Sequence, residues 1–347
     1  MIFFDTTKTG AAGHRSGLTR VSQRLRDELG PAAAAVRWPE WPREPGPGDW
    51  FLTSEPFSEA ERPGMSDFIA ARRCRSAAIF HDAIPIRHPE ITWPRSVARH
   101  PGYIKLLARF DRVWAVSAAS KADLLGFWRW QGVAAPPPVD ILALGADFKP
   151  GTRQVCDSPL AAGDAGAPAV PSLLCVGILE PRKNQEFLLR ICAELWREGL
   201  RFELHIAGRV NPNFGRPILG RMETLRREFP SLHYHPAAGD GDLASLYSSA
   251  RASVFPTIAE GCGLPLLESL WQGVPCVFSD LPVLRENAGG GGCLPAAPND
   301  AAAWKAAVRA ILTDDGLHGR LRIEACARPL ATWADAALAL KAGLTAA

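Results

Sequence analysis

The chain has 347 residues, of which 47% are apolar and 22% charged, with a formal net charge of +3. Global disorder is excluded because this composition can bury a real core, and the length suits two domains of ordinary size. The net charge is too small to indicate a nucleic-acid partner, although residues 1–150 carry all of the excess positive charge and so favour an anionic partner or membrane surface.

The N-terminal half contains short apolar runs typical of buried strands, namely MIFFD, DWFLTS, SAAIFHD, RVWAVS and VDILALG. Between two of them, residues 95–110 (RSVARHPGYIKLLARF) mix cations with apolar side chains, and FWRWQ follows at 127–131. This stretch fits either a contact with an anionic membrane or an ordinary amphipathic helix packed on the sheet. The second interpretation is favoured, and peripheral membrane contact through the N-terminal domain stays open as the alternative.

Residues 149–170 are rich in Ala, Gly and Pro without periodicity, which predicts an inter-domain linker or a surface excursion. Beyond it, short apolar runs alternate with helical patterns, the runs being SLLCVGI, FELHIAG, LHYHPA, ASVFP and PCVFSD. Such alternation indicates a parallel sheet with crossover helices. We therefore expect an α/β protein with two doubly wound, Rossmann-like domains, residues 1–150 and 151–330, facing each other across a ligand-binding cleft.

The last segment, ATWADAALALKAGL, has an apolar face at helical spacing. We expect it to form a helix within residues 331–347 that returns to the N-terminal domain.

The eight cysteines include no C-x-x-C pair, and several lie inside apolar runs, where a thiol behaves as a small hydrophobe. All eight are expected to be free thiols, which is typical of a cytoplasmic protein. The first residues lack a basic segment followed by an apolar core, and no stretch approaches the ~20 apolar residues of a membrane helix. We expect a cytoplasmic protein, with the inner face of the membrane as the place of any peripheral contact.

The strongest motif follows the strand ASVFP and pairs two carboxylates eight positions apart. Its residues are Glu260, Gly261, Cys262, Gly263, Leu264 and, inside the next helix, Glu268. The glycines allow the backbone to approach a ligand closely, and the free N–H groups of a helix N-terminus suit a phosphate. The alternative is a plain strand-to-helix turn with a helical Glu on a solvated face.

A second motif runs from Val176 to Asn184 and again joins a strand end, a turn and a helix start. Arg182 and Lys183 lie where the chain leaves the sheet, and two cations there can neutralise a diphosphate without a metal. The alternative is a solvated basic turn with Asn184 as the N-cap of the helix.

Together these segments resemble the large retaining glycosyltransferase family usually numbered four, whose members have the GT-B fold. The shared motifs are the VG…KN turn, a D-x-x-L-x-x-L-Y-x-x-A helix ending at Ala250, the E-x7-E loop, G-x-P-x-V (273–277) and L-x-E-x-x-G (284–289). Similarity continues in the N-terminal half through FHDAIPIRHPE, VWAVSAASKADLL and ILALGAD. It covers nearly the whole chain, and the combined pattern is highly specific.

The resemblance implies transfer of a hexose, with mannose as a candidate, from a nucleoside-diphosphate sugar to a polysaccharide or lipid-linked oligosaccharide, without metal or other cofactor. It implies that Arg182 and Lys183 contact the donor diphosphate, Glu260 the transferred sugar and Glu268 the ribose. His81 would lie on the acceptor side, near the reacting carbon.

Donor binding would also involve backbone or side chains of Gly17, Gly177, Gly261, Cys262, Gly263 and Leu264. Two positions depart from the common pattern: Ile178 stands where many members have Arg, and Cys262 replaces an aromatic residue. The rival functions are a nucleotide-sugar epimerase of the same fold and a non-catalytic nucleotide-sugar-binding member.

No metal site is predicted. Asp240 and Asp242 directly precede a helical pattern, so helix capping is the favoured interpretation. His233 and His235 fall on one face of a strand, but the sequence offers no third ligand beside them. They are therefore interpreted as part of a surface strand.

Overall fold

The computed structural model describes residues 1–11, 17–148, 153 and 170–345. The predicted linker over 149–170 falls outside this description except at its residues 153 and 170. The chain forms two compact units: unit 1 comprises Met1–Gly145 and Ala331–Ala347, and unit 2 comprises Ala146–Leu330.

Unit 1 contains a parallel sheet with the strand order β2-β1-β3-β4-β5-β6. These strands are β1 (Ile2–Asp5), β2 (Ala33–Val36), β3 (Trp50–Thr53), β4 (Arg75–Phe80), β5 (Arg112–Ala115) and β6 (Val139–Ile141). In register, Ile2 lies beside Trp50, and Trp50 beside Arg75. β1 and β3 are buried at every residue, which explains their continuous apolar sequences. The sequence missed β2, whose four small residues at the sheet edge carry little strand signal.

The helices that cover this sheet are α1 (Gly17–Leu29), α2 (Met65–Ala71), α3 (Ile84–Arg87), α4 (Pro94–Leu107) and α5 (Ala118–Trp130). Ser117 caps α5, because its hydroxyl oxygen accepts a hydrogen bond from the backbone N–H of Ser120 at 3.0 Å. α4 is the basic, apolar stretch noted in the sequence, and its Tyr103, Ile104 and Leu107 are buried in the core of unit 1. It is therefore an amphipathic helix packed within the unit, as favoured above.

Unit 2 contains a second parallel sheet, with the strand order β12-β11-β10-β7-β8-β9. The strands are β7 (Ser172–Val176), β8 (Glu203–Ala207), β9 (Leu232–His235), β10 (Ala252–Phe255), β11 (Cys276–Ser279) and β12 (Cys293–Ala296). All but β12 were predicted. The sequence of β12, CLPA, contains a proline, which strand patterns normally avoid and an edge strand tolerates.

The helices of unit 2 are α6 (Gln185–Arg197), α7 (Gly215–Glu228), α8 (Asp240–Ser249), α9 (Leu264–Trp271), α10 (Pro282–Ala288), α11 (Ala301–Thr313) and α12 (Asp315–Ala327). The prediction that an aspartate caps α8 is confirmed, but the aspartate acts from inside the helix and not from the N-cap position. Gly239 holds the N-cap position, and its backbone N–H donates to the carboxylate of Asp242 at 2.9 Å.

The last helix, α13 (Trp333–Thr345), packs against α1 in unit 1. Trp333 is buried, and a Cβ on Gly145 would lie 2.2 Å from its backbone nitrogen. Farther along, Nη1 of Arg112 donates to the carbonyl oxygen of Gly343 at 2.8 Å. Glycine is therefore required at 145, where the chain leaves unit 1, by the close approach of the returning helix.

The cysteines correct one expectation. The free thiols in the described part of the chain are those of Cys74, Cys175, Cys192, Cys262, Cys276 and Cys293. Cys326 is disulfide-bonded, so the prediction that every cysteine is a free thiol is wrong. The prediction failed because the absence of C-x-x-C does not exclude a bridge between residues distant in sequence. Cys156 lies outside the described residues.

Candidate functional site

The two sequence motifs meet at one edge of the sheet in unit 2. β7 and β10 are neighbouring parallel strands, so their carboxyl ends lie side by side and each motif begins there. The backbone carbonyl of Arg182 accepts from the backbone N–H of Ile258 at 2.9 Å and lies 3.0 Å from the hydroxyl oxygen of Thr257. The VG…KN turn and the loop after β10 are thereby joined through the main chain.

Glu260 is the centre of a buried charge cluster. Nζ of Lys183 lies 2.6 Å from one carboxylate oxygen, and Nη1 of Arg182 lies 2.9 Å from the other. The hydroxyl of Thr257 donates to the first oxygen at 2.8 Å. Lys183 also lies over the ring of Phe255, 5.0 Å from its centroid. The structure thus brings together Arg182, Lys183 and Glu260, which the sequence separates widely.

The electrostatics of this cluster follow from one carboxylate facing two cations. Burial alone would raise the pKa of Glu260, but the charges of Arg182 and Lys183 outweigh burial and hold it below its usual value. Burial lowers the pKa of Lys183. The negative charge of Glu260 acts in the opposite direction, but this carboxylate also faces Arg182, so it offsets the desolvation of Lys183 only in part. A bound anion close to Lys183 would add negative charge beside the two cations and offset more of the desolvation of Lys183.

Glu180 extends the cluster and was not predicted. Its carboxylate accepts from Nε of Arg182 at 3.0 Å and from the side-chain amide of Asn211 at 3.0 Å. Arg182 is therefore clamped between Glu180 and Glu260, with Nη1 also donating to the carbonyl oxygen of Ala259 at 2.8 Å. The only sequence signal was a carboxylate two positions before the arginine in LEPRKN.

Asn184 occupies the N-cap position of α6, as the alternative interpretation held, but its side chain does not cap the helix. The side-chain amide donates instead to the carbonyl oxygen of Pro256 at 3.1 Å and to Oδ1 of Asn299 at 2.9 Å. Its backbone is left-handed (φ 58°), a conformation that Asn tolerates better than most residues. Asn184 therefore ties the turn after β7 to the loop after β10.

The glycines at this edge allow close backbone approaches. A Cβ on Gly208 would come 2.0 Å from the carbonyl oxygen of Gly177, which packs the ends of β8 and β7 together. Gly263 is left-handed (φ 88°), and a Cβ there would lie 2.3 Å from Cδ2 of Leu284. Both features require glycine.

The rest of the E-x7-E segment leads into α9. Gly261 and Cys262 form the turn after Glu260, and the carbonyl oxygen of Cys262 accepts from the side chain of Asn287 at 2.6 Å. Leu264 is the first residue of α9. Glu268 lies one turn into that helix, as predicted, and is 5% exposed, so it is not on a solvated face.

Two predicted site residues belong to unit 1. His81 directly follows β4, its Nε2 lies 2.9 Å from the carbonyl oxygen of Ser54, and burial lowers its pKa. Gly17 is the first residue of α1, and apart from its chain neighbours no atom of the described residues lies within 4 Å of the place of a Cβ. Residues 12–16, which precede it in the predicted phosphate loop, lie outside the described residues.

A second buried ion cluster lies at the ends of β1 and β3 and was missed. Nη2 of Arg62 contacts Asp5 at 3.2 Å and Glu55 at 2.5 Å, and all three side chains are at most 1% exposed. The backbone N–H groups of Lys8 and Thr9 also donate to Glu55, at 2.8 and 2.7 Å. Burial and the neighbouring charge of Asp5 raise the pKa of Glu55. Sequence gave no signal, because the three residues belong to separate, unremarkable segments.

Comparison with known proteins finds a family similarity within unit 2. The family model described as "Glycosyl transferases group 1" matches residues 170–314. Residues 170–314 are therefore similar to group 1 glycosyltransferases. This range contains Arg182, Lys183, Glu260 and Glu268, so the site cluster lies within the matched domain.

The chain is also similar to curated and solved proteins of this class. It is 31% identical over 235 residues to the serotype-specific mannosyltransferase WbdA of Escherichia coli, covering 63% of this chain and 28% of that protein. Sucrose-phosphate synthase from Thermosynechococcus elongatus matches with a TM-score of 0.72 at 17% identity, covering 99% of this chain and 98% of that one. Anabaena Alr3699/HepE, solved with UDP and glucose, matches with a TM-score of 0.70 at 13% identity, covering 100% and 99%.

These similarities confirm the predicted GT-B fold, with its two Rossmann-like units. The chain spans little more than a quarter of the length of the WbdA relatives it matches. Among the described residues, no helix combines the length and apolar character needed to cross a membrane.

Proposed function

We propose that this protein is a retaining, metal-independent glycosyltransferase that moves a hexose from a nucleoside-diphosphate sugar to a polysaccharide or lipid-linked oligosaccharide. The observation that carries the proposal is the clamped pair Arg182 and Lys183, held by Glu260 at the carboxyl ends of β7 and β10. The relative WbdA is a mannosyltransferase, which supports mannose as the transferred sugar.

The cation pair supplies the main catalytic effect. Negative charge grows on the departing nucleoside diphosphate as the glycosidic bond breaks, and preorganised cations stabilise that charge. Glu180 and Glu260 fix both cations before the donor arrives, so little reorganisation is needed during the reaction. These two cationic side chains replace a divalent metal ion in neutralising the diphosphate. Turnover is therefore expected to need no divalent metal ion.

The contacts of Glu260 support retention without a covalent sugar–enzyme intermediate. A retaining hydrolase uses a carboxylate as nucleophile on the anomeric carbon. Here both oxygens of Glu260 are engaged by Lys183, Arg182 and Thr257, so attack would sacrifice the cations that hold the leaving group. Same-face attack by the acceptor, with a leaving-group phosphate oxygen taking its proton, keeps these contacts intact.

The remaining roles are distributed over the two units. Glu268 is proposed to hold the donor ribose, and Gly177, Gly261, Cys262, Gly263 and Leu264 to line the donor site. In unit 1, Gly17 is proposed to approach the donor phosphates, and His81 to lie beside the reacting carbon. A neutral imidazole, which the lowered pKa of His81 favours, can accept or donate a hydrogen bond to a sugar hydroxyl.

The deciding experiment incubates the full chain with a panel of nucleoside-diphosphate sugars, with and without glycan acceptors, in excess chelator. Donor-dependent glycosylation whose product keeps the donor's anomeric configuration by proton NMR is the expected result. Turnover that stops in chelator and returns with Mg²⁺ or Mn²⁺ would overturn metal independence, and an inverted product would overturn retention. Epimerised sugar formed from the donor alone would favour an epimerase. Binding of the donor without any turnover would favour a non-catalytic member.

We also propose a cytoplasmic location with peripheral contact to an anionic membrane through unit 1. The free thiols support a reducing compartment, while the disulfide at Cys326 counts against it. Trp130 is 80% exposed at the end of α5, and Trp93 at the start of α4 is 44% exposed with Arg95 over its ring. Flotation with anionic vesicles, weakened in Trp130→Ser and absent with neutral vesicles, is expected; equal behaviour with both vesicle types would contradict the proposal.

A further inference from the structure

Four polar side chains gather on one face of β8 and the neighbouring edge strand β9, apart from the charge cluster described above. In the parallel register His205 lies beside His233, and Ala207 beside His235. Because side chains alternate along a strand, Glu203 and His205 share a face on β8, and His233 and His235 share it on β9. The opposite face, with Leu204, Ile206 and Leu232, is buried in the core.

The ring nitrogens of two histidines face the same carboxylate. Nε2 of His205 lies 3.3 Å from one oxygen of Glu203, and Nε2 of His233 lies 3.8 Å from the other. The two imidazole rings are stacked, with centroids 4.6 Å apart and planes 22° apart. One carboxylate oxygen of Glu203 and one ring nitrogen each of His205 and His233 all lie within 4.8 Å of one another.

Nε2 of His233 gives an independent sign that this group is incomplete by itself. The atom is shielded from solvent, yet among the described residues it makes no hydrogen bond, since the approach to Glu203 at 3.8 Å is too long for one. A buried polar atom without a partner is uncommon and calls for a ligand, ion or water.

His235 supplies the outer contact that ligating histidines usually have. Its Nε2 lies 3.1 Å from Nδ1 of His205, on the side of the ring turned away from Glu203. When His205 carries its proton on Nδ1 and donates it to His235, its Nε2 presents a lone pair toward Glu203 and His233. Such an outer hydrogen bond fixes the tautomer and orientation of a metal-binding histidine.

We propose that Glu203, His205 and His233 form a binding site for a divalent transition-metal ion, with Zn²⁺ as its representative, and that His235 positions His205. Two imidazoles and a carboxylate are the donor set that Zn²⁺ accepts in three-ligand sites, where water completes the tetrahedron. In such a site, bonds of about 2.1 Å place ligand atoms roughly 3.4 Å apart. The two carboxylate–imidazole separations, 3.3 and 3.8 Å, approach this value, and all three ligand atoms lie within 4.8 Å of one another. Small side-chain rotations would therefore complete the site.

Nitrogen ligands exclude a site built for Mg²⁺ or Ca²⁺, which prefer oxygen. Glu203, His205 and His233 are all partly exposed, so an ion can enter from solvent. The bound ion would join the edge strand β9 to β8 by side chains in addition to backbone hydrogen bonds. This site is separate from the proposed sugar transfer, and its test does not depend on activity.

The test titrates the full chain, freed of metal, with Zn²⁺ against a competing chromophoric chelator. The ligand-field spectrum of Co²⁺ bound in place of Zn²⁺ then reports the ligand geometry. One Zn²⁺ per chain and a tetrahedral nitrogen–oxygen Co²⁺ spectrum are expected, with no binding of Mg²⁺. Thiolate-to-metal charge-transfer bands would place the ion on cysteines and overturn the proposal.

Variants assign the ligands. Glu203→Gln and His233→Gln should each weaken Zn²⁺ binding by more than ~100-fold, and His235→Gln by about 10- to 100-fold, the range for an outer partner. The matched control is His88→Gln, since His88 also faces a carboxylate, that of Glu90 at 3.6 Å, but lies in unit 1. Equal affinity in all four variants, or a loss confined to the control, would overturn the proposal.

Thermal unfolding separates binding from folding defects. Zn²⁺ should raise the melting temperature of the wild type and of His88→Gln but not of Glu203→Gln, because a ligand of the native state stabilises it. The Glu203 side chain is 41% exposed, so its metal-free variant is expected to melt within a few degrees of the metal-free wild type. A Zn²⁺-induced shift that persists in Glu203→Gln contradicts the assignment.

Discussion

Nζ of Lys183 lies 2.6 Å from Oε1 of Glu260, although 77 positions separate the two residues in the chain. Lys183 stands in the turn after β7 and Glu260 in the loop after β10, and these strands are neighbours in the sheet. The contact makes the position of each side chain depend on the other. The two residues nevertheless have different proposed roles, so their mutations should affect different properties of the same site.

Lys183→Ala is expected to lower kcat by at least ~100-fold, the scale for loss of one preorganised stabiliser of developing charge. The KM for the donor should change much less, because the interaction strengthens as the bond breaks. Steady-state kinetics with the true donor measure both constants. Lys305→Ala, a surface lysine of α11 paired with Glu194 and Glu198, is the control and should retain wild-type kcat. A change confined to KM in Lys183→Ala would reverse the assigned role.

Glu268→Gln is expected to raise the donor KM and leave kcat within roughly tenfold. Glu268 lies on α9 and is proposed to hold the ribose, a part of the donor that does not change during reaction. Loss of an interaction that is equal in ground and transition states affects binding alone. The same kinetic assay, together with the binding of nucleoside diphosphate by calorimetry, checks this. Abolished kcat with unchanged diphosphate affinity is the result that contradicts it.

Glu260→Gln is expected to reduce the free energy of unfolding by up to about 3–5 kcal/mol, because it leaves two cations facing each other without their shared carboxylate. Nucleoside diphosphate should restore a larger part of the stability in this variant than in the wild type. Urea unfolding with and without the diphosphate measures both effects. Glu186→Gln, an exposed carboxylate in the first turn of α6, should change stability by less than about 0.5 kcal/mol. Equal losses in the two variants would argue against the cluster as an energetic unit.

Gly263→Ala is expected to destabilise unit 2 by about 1–3 kcal/mol, the cost of a non-glycine residue in a sparsely populated conformation. Its φ of 88° and the 2.3 Å approach to Leu284 both oppose a Cβ. Gly126→Ala is the matched control, because Gly126 lies inside α5 with no atom within 4 Å and should gain about 0.5–1 kcal/mol. Thermal and denaturant unfolding compare them. Similar stability of the two variants would show that the turn at residue 263 can change its backbone conformation to accommodate a Cβ.

Arg62→Met is expected to destabilise unit 1 by about 3–5 kcal/mol, because Asp5 and Glu55 remain buried without their guanidinium. The control is Arg87→Met, since Arg87 pairs with Asp123 at 2.9 Å on the surface and such pairs are worth about 0–1 kcal/mol. Denaturant unfolding provides both values. Equal small losses would mean that the buried carboxylates become protonated at little cost.

Much of this protein could be predicted from its sequence. Alternating apolar runs and helical patterns located ten of the twelve strands in the described part of the chain, because buried parallel strands leave a continuous apolar signal. The two strands that escaped prediction, β2 and β12, lie at sheet edges, where packing demands are weaker and small residues or proline suffice. Arg182, Lys183, Glu260 and Glu268 stood out because each follows a strand end or opens a helix.

Tertiary structure alone decided which side chains meet. Glu180, Thr257 and Asn211 join the charge cluster from three segments, and nothing in the sequence shows that their side chains meet there. The local sequence offers His233 and His235 no third ligand, because Glu203 and His205 lie on β8, about thirty residues earlier, and only strand pairing brings them to the same face. The disulfide at Cys326 likewise left no C-x-x-C pattern in the sequence. Periodicity reports burial along one element, whereas chemistry between elements depends on register and strand order, which no local pattern encodes.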